Sequence, residues 1–448
     1  MTQNQDWAPD SWHRRTAAQQ PTYANTEKLQ ADLQELAALP PLVTSAEVES
    51  LRLQLADAEA GRSFVLQGGD CAESFSECRP QTITNRLKVL LQMSLVLVHG
   101  LERPITRIGR FAGQYAKPRS ADTETRDGVT LPSYRGDIVN GPDFSVAARA
   151  PDSARMLEAH ARSAMTMNFV RGLIDGGFAD LHHPEYWRLD WVSKSSSMDR
   201  YTQIVESIGH GVRFMESLAG RNIREINRVD FYTSHEALLL YYEQAQTRQV
   251  PRQQGWYNLS THLPWIGART AEIDGAHVEY CSGIRNPVGL KVGPAMQPAQ
   301  VAALCERLNP AAEAGKLVLI HRLGARQVDS HLPAIIEAVR ASGIPVLWMC
   351  DPMHGNTQST SNGYKTRAFN DVMSELAQSI AVHRAQGTAL GGVHLELTGD
   401  DVTECIGGAS ELVEADLARA YRSSVDPRLN YEQSLELSMK LADLMVGR

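Results

Sequence analysis

The chain has no stretch approaching the ~18 uninterrupted apolar residues of a membrane span. Its best candidate, Leu87 to Val98, contains Lys88 and Gln92 and reads as an amphipathic helix. Basic charge is not in excess either. The 44 Lys and Arg against 52 Asp and Glu leave a net charge of −8, which argues against a general binder of nucleic acid or anionic membrane. Six cysteines are scattered without a Cys-x-x-Cys pair, which points to reduced thiols in a cytoplasm. The opening Met1-Thr-Gln-Asn-Gln-Asp6 lacks a basic segment followed by an apolar one, so no signal peptide is expected. No glycine-rich P-loop is present, and no His-x-His follows the first apolar run. Neither an NTPase nor an amidohydrolase-type barrel is supported. A cytoplasmic enzyme is the default that remains.

What is present is a recurring pattern. Pro345-Val-Leu-Trp-Met-Cys-Asp351-Pro-Met-His354-Gly-Asn356 is a short apolar run that stops at a histidine among Gly, Pro and Asn. Such a run reads as a buried strand ending in a loop tip. The same form recurs at 63–71, 105–110, 229–235, 263–269, 289–294, 317–322 and 392–399, which makes eight strands in all. Each carries a residue suited to metal or phosphate near its C-terminal end. Helical patterns stand between them, so the fold class is α/β, a (β/α)8 TIM barrel. At 448 residues with 43% hydrophobic content the chain can form a barrel with a large core.

Residues 1 to 25 are polar, with Trp7, Trp12 and Tyr23 placed to dock on the body or on another subunit. Helices are expected at Thr26 to Leu39 and at Ser45 to Ala60, the second with Ser45 as its N-cap and Glu47 and Glu49 in the first turn. A third, Ile83 to Val98, carries Ile83, Leu87, Leu90, Leu91, Leu95 and Val98 on one face, as an outer barrel helix should. Further helices are expected at 297–308 and 332–342. The connection from the second strand to the third, 111–228, is far longer than an ordinary βα loop. It holds a Gly/Pro/Tyr-rich portion and then helical patterns at Ser153 to Leu173 and Asp199 to Ala219. The chain thus divides into an N-terminal extension, 1–60, suited to oligomer contacts, and a catalytic barrel, 61–448. A helical insert at 149–228 serves regulation or oligomerisation.

Two groups of residues carry chemistry. Arg110, Lys117, Arg119, Arg269, Lys291 and Arg322 lie at strand ends or in the loop Gly113-Gln-Tyr-Ala-Lys-Pro-Arg-Ser120. A barrel brings all its strand ends to one mouth, where these cations would repel one another unless an anion lay between them. A ligand with more than one phosphate or carboxylate fits, although each cation singly would pass as a strand-end residue paired with a surface acid. The second group is Cys71, His354, Glu396 and Asp426. One thiolate, one imidazole and two carboxylates suit Mn²⁺, Co²⁺, Fe²⁺ or Zn²⁺ better than Mg²⁺. Singly, a buried cysteine or histidine is more often core than ligand. Of the rest, His182-His183 reads as a surface pair, and His235-Glu236 as support from behind the site. His394 shares its side of the strand with Glu396.

Together, Gln67-Gly-Gly-Asp-Cys-Ala-Glu73, Arg107-Ile-Gly-Arg-Phe-Ala-Gly-Gln-Tyr-Ala-Lys-Pro-Arg-Ser120, Asn286-Pro-Val-Gly-Leu-Lys-Val-Gly-Pro294, Cys350-Asp-Pro-Met-His-Gly-Asn356 and Gly391-Gly-Val-His-Leu-Glu-Leu-Thr-Gly399 resemble a class II 3-deoxy-D-arabino-heptulosonate 7-phosphate (DAHP) synthase. The resemblance runs nearly the whole length, from the Trp-containing N-terminus to Asp426-Pro-Arg-Leu-Asn430. It implies condensation of phosphoenolpyruvate with erythrose 4-phosphate at the entry to the shikimate pathway. It also implies that Cys71, His354, Glu396 and Asp426 bind the metal, Mn²⁺ or Co²⁺ first and Zn²⁺ or Fe²⁺ as alternatives. Arg110, Arg269, Lys291 and Arg322 would hold phosphoenolpyruvate. Lys117, Arg119 and Ser120 would take erythrose 4-phosphate, the last two on its phosphate. For the general acid or base the candidates are Lys117, Lys365 and a water on the metal. One position departs from the family pattern: Ala268 precedes Arg269 where an acidic residue is expected. The extension and insert resemble parts that serve a homo-oligomer, dimer or tetramer, and feedback by an aromatic amino acid, with a chorismate mutase as partner. The rival readings are another phosphosugar aldolase-type barrel, or a catalytically silent aromatic amino-acid sensor that partners a downstream mutase.

Overall fold

Eight short buried segments pair side by side, each parallel to the next, and close on themselves. In the computed structural model, which describes residues 7–176, 178, 196–219 and 230–447, they are β1 (Phe64–Gly69), β2 (Ile105–Arg110), β3 (Tyr232–Glu236), β4 (Leu263–Ile266), β5 (Val288–Val292), β6 (Leu317–His321), β7 (Leu347–Cys350) and β8 (Gly392–Glu396). Their order in the closed barrel is sequential, and β8 returns to β1 with Val65 opposite Gly392 and Gly69 opposite Glu396. The eight strands read from the sequence are these eight. Alternation sets the faces. Val65, Val318, Ile320 and Met349 point into the barrel, while Leu66, Leu319 and Trp348 pack outward under the helices.

Helix α1 (Thr26–Ala38) begins at Asn25, whose side chain accepts from the Lys28 amide at 2.8 Å. Helix α2 (Ser45–Glu59) is capped by Thr44 and not, as expected, by Ser45. The Thr44 Oγ1 accepts from the Glu47 amide while the Glu47 carboxylate accepts from the Thr44 amide, so the box with Glu at the third position selects Thr44 and leaves Ser45 as the first helical residue. Leu51, Leu55 and Ala58 of α2 are fully buried in one cluster with the lower strand residues. The helix therefore stops the N-terminal end of the barrel, and each leucine contributes about 2 kcal/mol to that docking.

Helix α3 (Pro80–Leu101) starts with Pro80 at its first turn and is buried on nearly every side from Ile83 to Leu97. The expected apolar stripe is there, but the helix also packs against α4 (Ala154–Asp175), α5 (Ser196–Ala219) and the last helix, Tyr431–Val446. The intervening helices are α6 (Leu240–Ala245), α7 (Ala276–Gly283), α8 (Pro298–Leu308), α9 (Val328–Ser342), α10 (Phe369–Ala385) and α11 (Tyr431–Val446). Helices α4 and α5 fall where the sequence pattern of the long connection between β2 and β3 predicts helix. Three small antiparallel hairpins were not anticipated: Thr123–Arg126 with Val129–Pro132, Thr247–Gln249 with Trp256–Asn258, and Thr357–Ser359 with Lys365–Arg367. The N-terminal aromatics dock on their own chain. Trp7 donates to the Glu279 carbonyl and Trp12 to the Gln244 side chain, both at 2.9 Å. His182-His183 lies outside the described residues. Among the described residues no helix is long and apolar enough to cross a membrane.

Candidate active site at the barrel mouth

Above the apolar layer the barrel interior turns polar. Gln67 donates to Ser234 at 2.8 Å, and its carbonyl oxygen lies 2.7 Å from His394 Nδ1. His394 Nε2 lies 2.9 Å from Arg110 Nη1, and Arg110 Nη2 reaches Glu396 Oε1 at 3.1 Å. Because the arginine can only donate, His394 is neutral with its proton on Nδ1. Burial, then Lys291 and Arg110, push its pKa well below the ordinary value, which agrees. As expected, His394 faces the same interior as Glu396.

The mouth encloses a cavity of ≈ 340 Å³. Every residue singled out for chemistry lines it: Cys71, Arg110, Lys117, Arg119, Ser120, Arg269, Lys291, Arg322, His354, Lys365, Glu396 and Asp426. The four candidate metal ligands offer donor atoms that all lie within 4.8 Å of one another. Each arrives by its own local device. Cys71 follows β1 through Gly69, where a side chain would strike the Arg110 carbonyl at 2.7 Å, and through Asp70, which pairs with Arg86 and with Arg428 at 2.6 Å. His354 is turned by Asp351, whose Oδ1 accepts from the Met353 and His354 amides and whose Oδ2 accepts from His354 Nδ1 at 2.7 Å. Glu396 is the last residue of β8. Asp426 is carried alongside it because the 426–430 segment pairs with the strand's extension, Leu429 N to Glu396 O and Thr398 N to Leu429 O, both 3.0 Å.

The charges are tightly matched. His354 Nε2 stands 3.0 Å from Glu396 Oε1. Burial would lower the imidazolium pKa, but Asp351 and Glu396 outweigh it and raise it to about 10. Burial would raise the Glu396 carboxyl, yet His354, Arg367 and Arg110 hold it well below the usual range. Lys117 Nζ lies between Cys71 Sγ (2.9 Å) and Asp426 Oδ2 (2.8 Å), and these neighbours overcome burial to raise its pKa. An ammonium thus sits against two of the four donors, which marks the cluster as a place that holds positive charge. Asp426 Oδ1 also accepts from Lys365 at 3.0 Å.

The expected repulsion among the cations is partly relieved within the chain. Arg110 pairs with Glu396, Lys291 with Asp351, and Arg119 with Glu124 at 3.3 Å. Arg269 and Arg322 have no carboxylate within 4.0 Å among the described residues. Arg269 reaches Ser120 Oγ at 3.1 Å and Arg322 the His354 carbonyl at 2.9 Å. Both line the cavity. Burial lowers the Lys291 pKa to about 8 despite Asp351.

Several contributors escaped the sequence reading. Asp351 stands three residues before His354, in an Asp-Pro pair that signals a turn. Arg367, fully buried, grips Glu396 Oε2 at 2.8 Å from a hairpin that has no strong sequence signal. The pair His235-Glu236 splits. His235 Nε2 turns to Glu243 at 2.8 Å, whereas Glu236 lines the cavity. Period-two alternation with Tyr232 and Ser234 would have given the inward face of Glu236.

Fold and cavity together define a (β/α)8 barrel with an anion- and metal-type site at the C-terminal ends of its strands. The chain belongs to the Class-II DAHP synthetase family, whose profile matches residues 7–442. A phospho-2-dehydro-3-deoxyheptonate aldolase of Streptomyces coelicolor is 47% identical over 447 residues, 99% of each chain. One of Neurospora crassa is 46% identical over 453 residues, 98% of this chain and 94% of that protein. The membership read from the motifs is borne out.

Proposed function

We propose that the mouth cavity joins phosphoenolpyruvate to erythrose 4-phosphate and water, giving DAHP and phosphate, the first step of the shikimate pathway. The observation that carries this is one cavity holding both a four-donor cluster and two arginines with no carboxylate partner among the described residues. Family membership and the named relatives support the same reaction. Arg110, Lys291, Arg322 and Arg269 hold the phosphate and carboxylate of phosphoenolpyruvate. Arg119 and Ser120 take the phosphate of erythrose 4-phosphate, with Lys117 nearer its aldehyde.

Cys71, His354, Glu396 and Asp426 fit a divalent first-row ion, Mn²⁺ or Co²⁺ first, with Zn²⁺ or Fe²⁺ as alternatives. Asp351 on His354 Nδ1 leaves Nε2 for the cluster, the usual outer support for a ligating histidine. When bound, such an ion supplies Lewis acidity to the aldehyde oxygen. The cations hold two mutually repelling anions with C3 of phosphoenolpyruvate facing the aldehyde carbon. As that bond forms, Lys117 or Lys365, on the two oxygens of Asp426, gives a proton to the new alkoxide. Water then adds at C2 and phosphate departs, its charge met by Arg269 and Arg322.

The same reading makes 1–60 an oligomer-contact extension of a 61–448 catalytic barrel, with 149–228 a regulatory insert. It includes a cytoplasmic dimer or tetramer, an aromatic amino-acid effector and a chorismate mutase partner, supported by the family resemblance of those segments. Sedimentation with and without phenylalanine, tyrosine or tryptophan tests these. The reaction is tested by stripping metal with a chelator and following phosphoenolpyruvate loss with and without erythrose 4-phosphate. Activity should vanish and return with Mn²⁺ or Co²⁺; loss of phosphoenolpyruvate without the second substrate would refute the condensation. Cys71→Ser should lower metal content sharply, and unchanged content removes Cys71 from the ligand set.

A further inference from the structure

Glu236 is the last residue of β3, and its carboxylate lies at the cavity wall. The residue is 9% exposed, and Oε1 is buried with no hydrogen-bond partner among the described residues. No cation comes within 4.0 Å of it among the described residues. Such an orphaned buried carboxylate is costly, and it persists where function requires it. The other acids lining the cavity are committed. Glu124 pairs with Arg119, Arg126 and Arg149; Glu396 with Arg110, Arg367 and His354; Asp426 with Lys117 and Lys365.

The chain makes room for this group. A Cβ on Gly267 would sit 2.1 Å from Glu236 Oε1, so the backbone of the next strand end comes close only because it is glycine. Ala268 beside it brings a methyl and no carboxylate. The Glu236 amide is itself fixed by Gln114 Oε1 at 2.9 Å.

Resting on the reaction proposed above, we infer that Glu236 is the base for the water that adds to C2 of phosphoenolpyruvate. As the water oxygen bonds to C2, Glu236 Oε1 takes one of its protons. It returns that proton to the bridging oxygen as the C2–O bond to phosphate breaks. The water's second proton leaves the C2 hydroxyl for solvent as the ketone forms, and offsets the proton that the aldehyde oxygen gains. Lys291, His354, Arg110 and Arg269 are the charged groups that act on Glu236. They oppose the burial, which still leaves its pKa raised and so makes it a stronger proton acceptor than an exposed carboxylate.

The test is Glu236→Gln in the metal-loaded, full-length enzyme, which keeps the shape and removes the base. Loss of a general base costs about 10²–10⁴-fold. The expected result is a kcat at least about 100-fold lower, with phosphoenolpyruvate affinity, read from Trp265 fluorescence, and metal content unchanged. The acidic limb of the kcat–pH profile should disappear. Glu236→Asp should keep that limb at reduced rate. Gly267→Ala, which crowds Oε1, should lower kcat more than it raises KM. A kcat for Glu236→Gln within about threefold of wild type overturns the assignment. So does a rate loss matched by equal loss of phosphoenolpyruvate or metal binding, which would make Glu236 structural. A metal-loaded wild type that releases no phosphate from the two substrates overturns the reaction itself, a result distinct from either.

Discussion

Lys291 and His354 share one hydrogen-bond acceptor, Oδ2 of the buried Asp351. One oxygen thereby ties a proposed substrate cation to a proposed metal ligand. In Asp351→Asn an N–H₂ would face the donors that Oδ2 now satisfies. The expected outcome is a fall in metal affinity of about 10–100-fold, with a higher KM for phosphoenolpyruvate. Metal titration and steady-state kinetics read both. A variant that keeps wild-type metal affinity would show that Asp351 does not orient His354.

The depressed pKa of Lys291 sets a pH limit. With its proton lost above about 8, the free enzyme holds the substrate anion less well, so kcat/KM for phosphoenolpyruvate should fall as pH rises through that value. A bound divalent ion adds positive charge and moves the limb lower, not higher. A profile flat to high pH would remove Lys291 from the anion site.

Glu375 of α10 joins two loops of the cavity wall from behind. Its Oε1 accepts from the Leu323 and Gly324 amides at 2.9 Å, beside Arg322, and its Oε2 accepts from Asn356 at 2.7 Å, beside His354. Glutamine can satisfy only one side. Glu375→Gln should cost about 1–3 kcal/mol in denaturant unfolding and raise KM for phosphoenolpyruvate. Unchanged kinetics in a destabilised variant would confine Glu375 to stability.

Arg428 is buried and bridges Asp70 at 2.6 Å and Glu404 at 2.9 Å, next to Asp426 and Cys71. Arg428→Ala leaves the buried Glu404 without a cation and Asp70 with Arg86 alone, and about 3–5 kcal/mol of stability should be lost. Chemical denaturation with metal present and absent checks the size. A loss below about 1 kcal/mol would mean that water reaches the site.

The barrel was legible because each strand is a short apolar run ended by turn residues, and period two fixes its faces. Three of the proposed ligands were legible as residue types at or near strand ends and Asp426 as one in a turn between helical segments, and the cavity does gather all four. Asp351, Arg367, Glu375 and Arg428 were not, because their importance lies in contacts between segments far apart in the chain. A buried arginine looks like a surface arginine until its partners are known. Thr44 against Ser45 shows the local limit. Two adjacent hydroxyl residues can both start a helix, and only the position of Glu47 relative to each decides. Glu236 was seen but placed with its neighbour, although adjacent strand residues face opposite ways.

Helix α2 stops the barrel at its lower end, which leaves a vessel with one opening. Arg110 and Lys291 sit deep, 2% and 5% exposed, whereas Ser120 lies at the rim. Under the assignments proposed, both substrates and both products use the same doorway. The molecule destined for the floor must enter before the one at the rim. The plug thus converts a detail of chain packing into a queue.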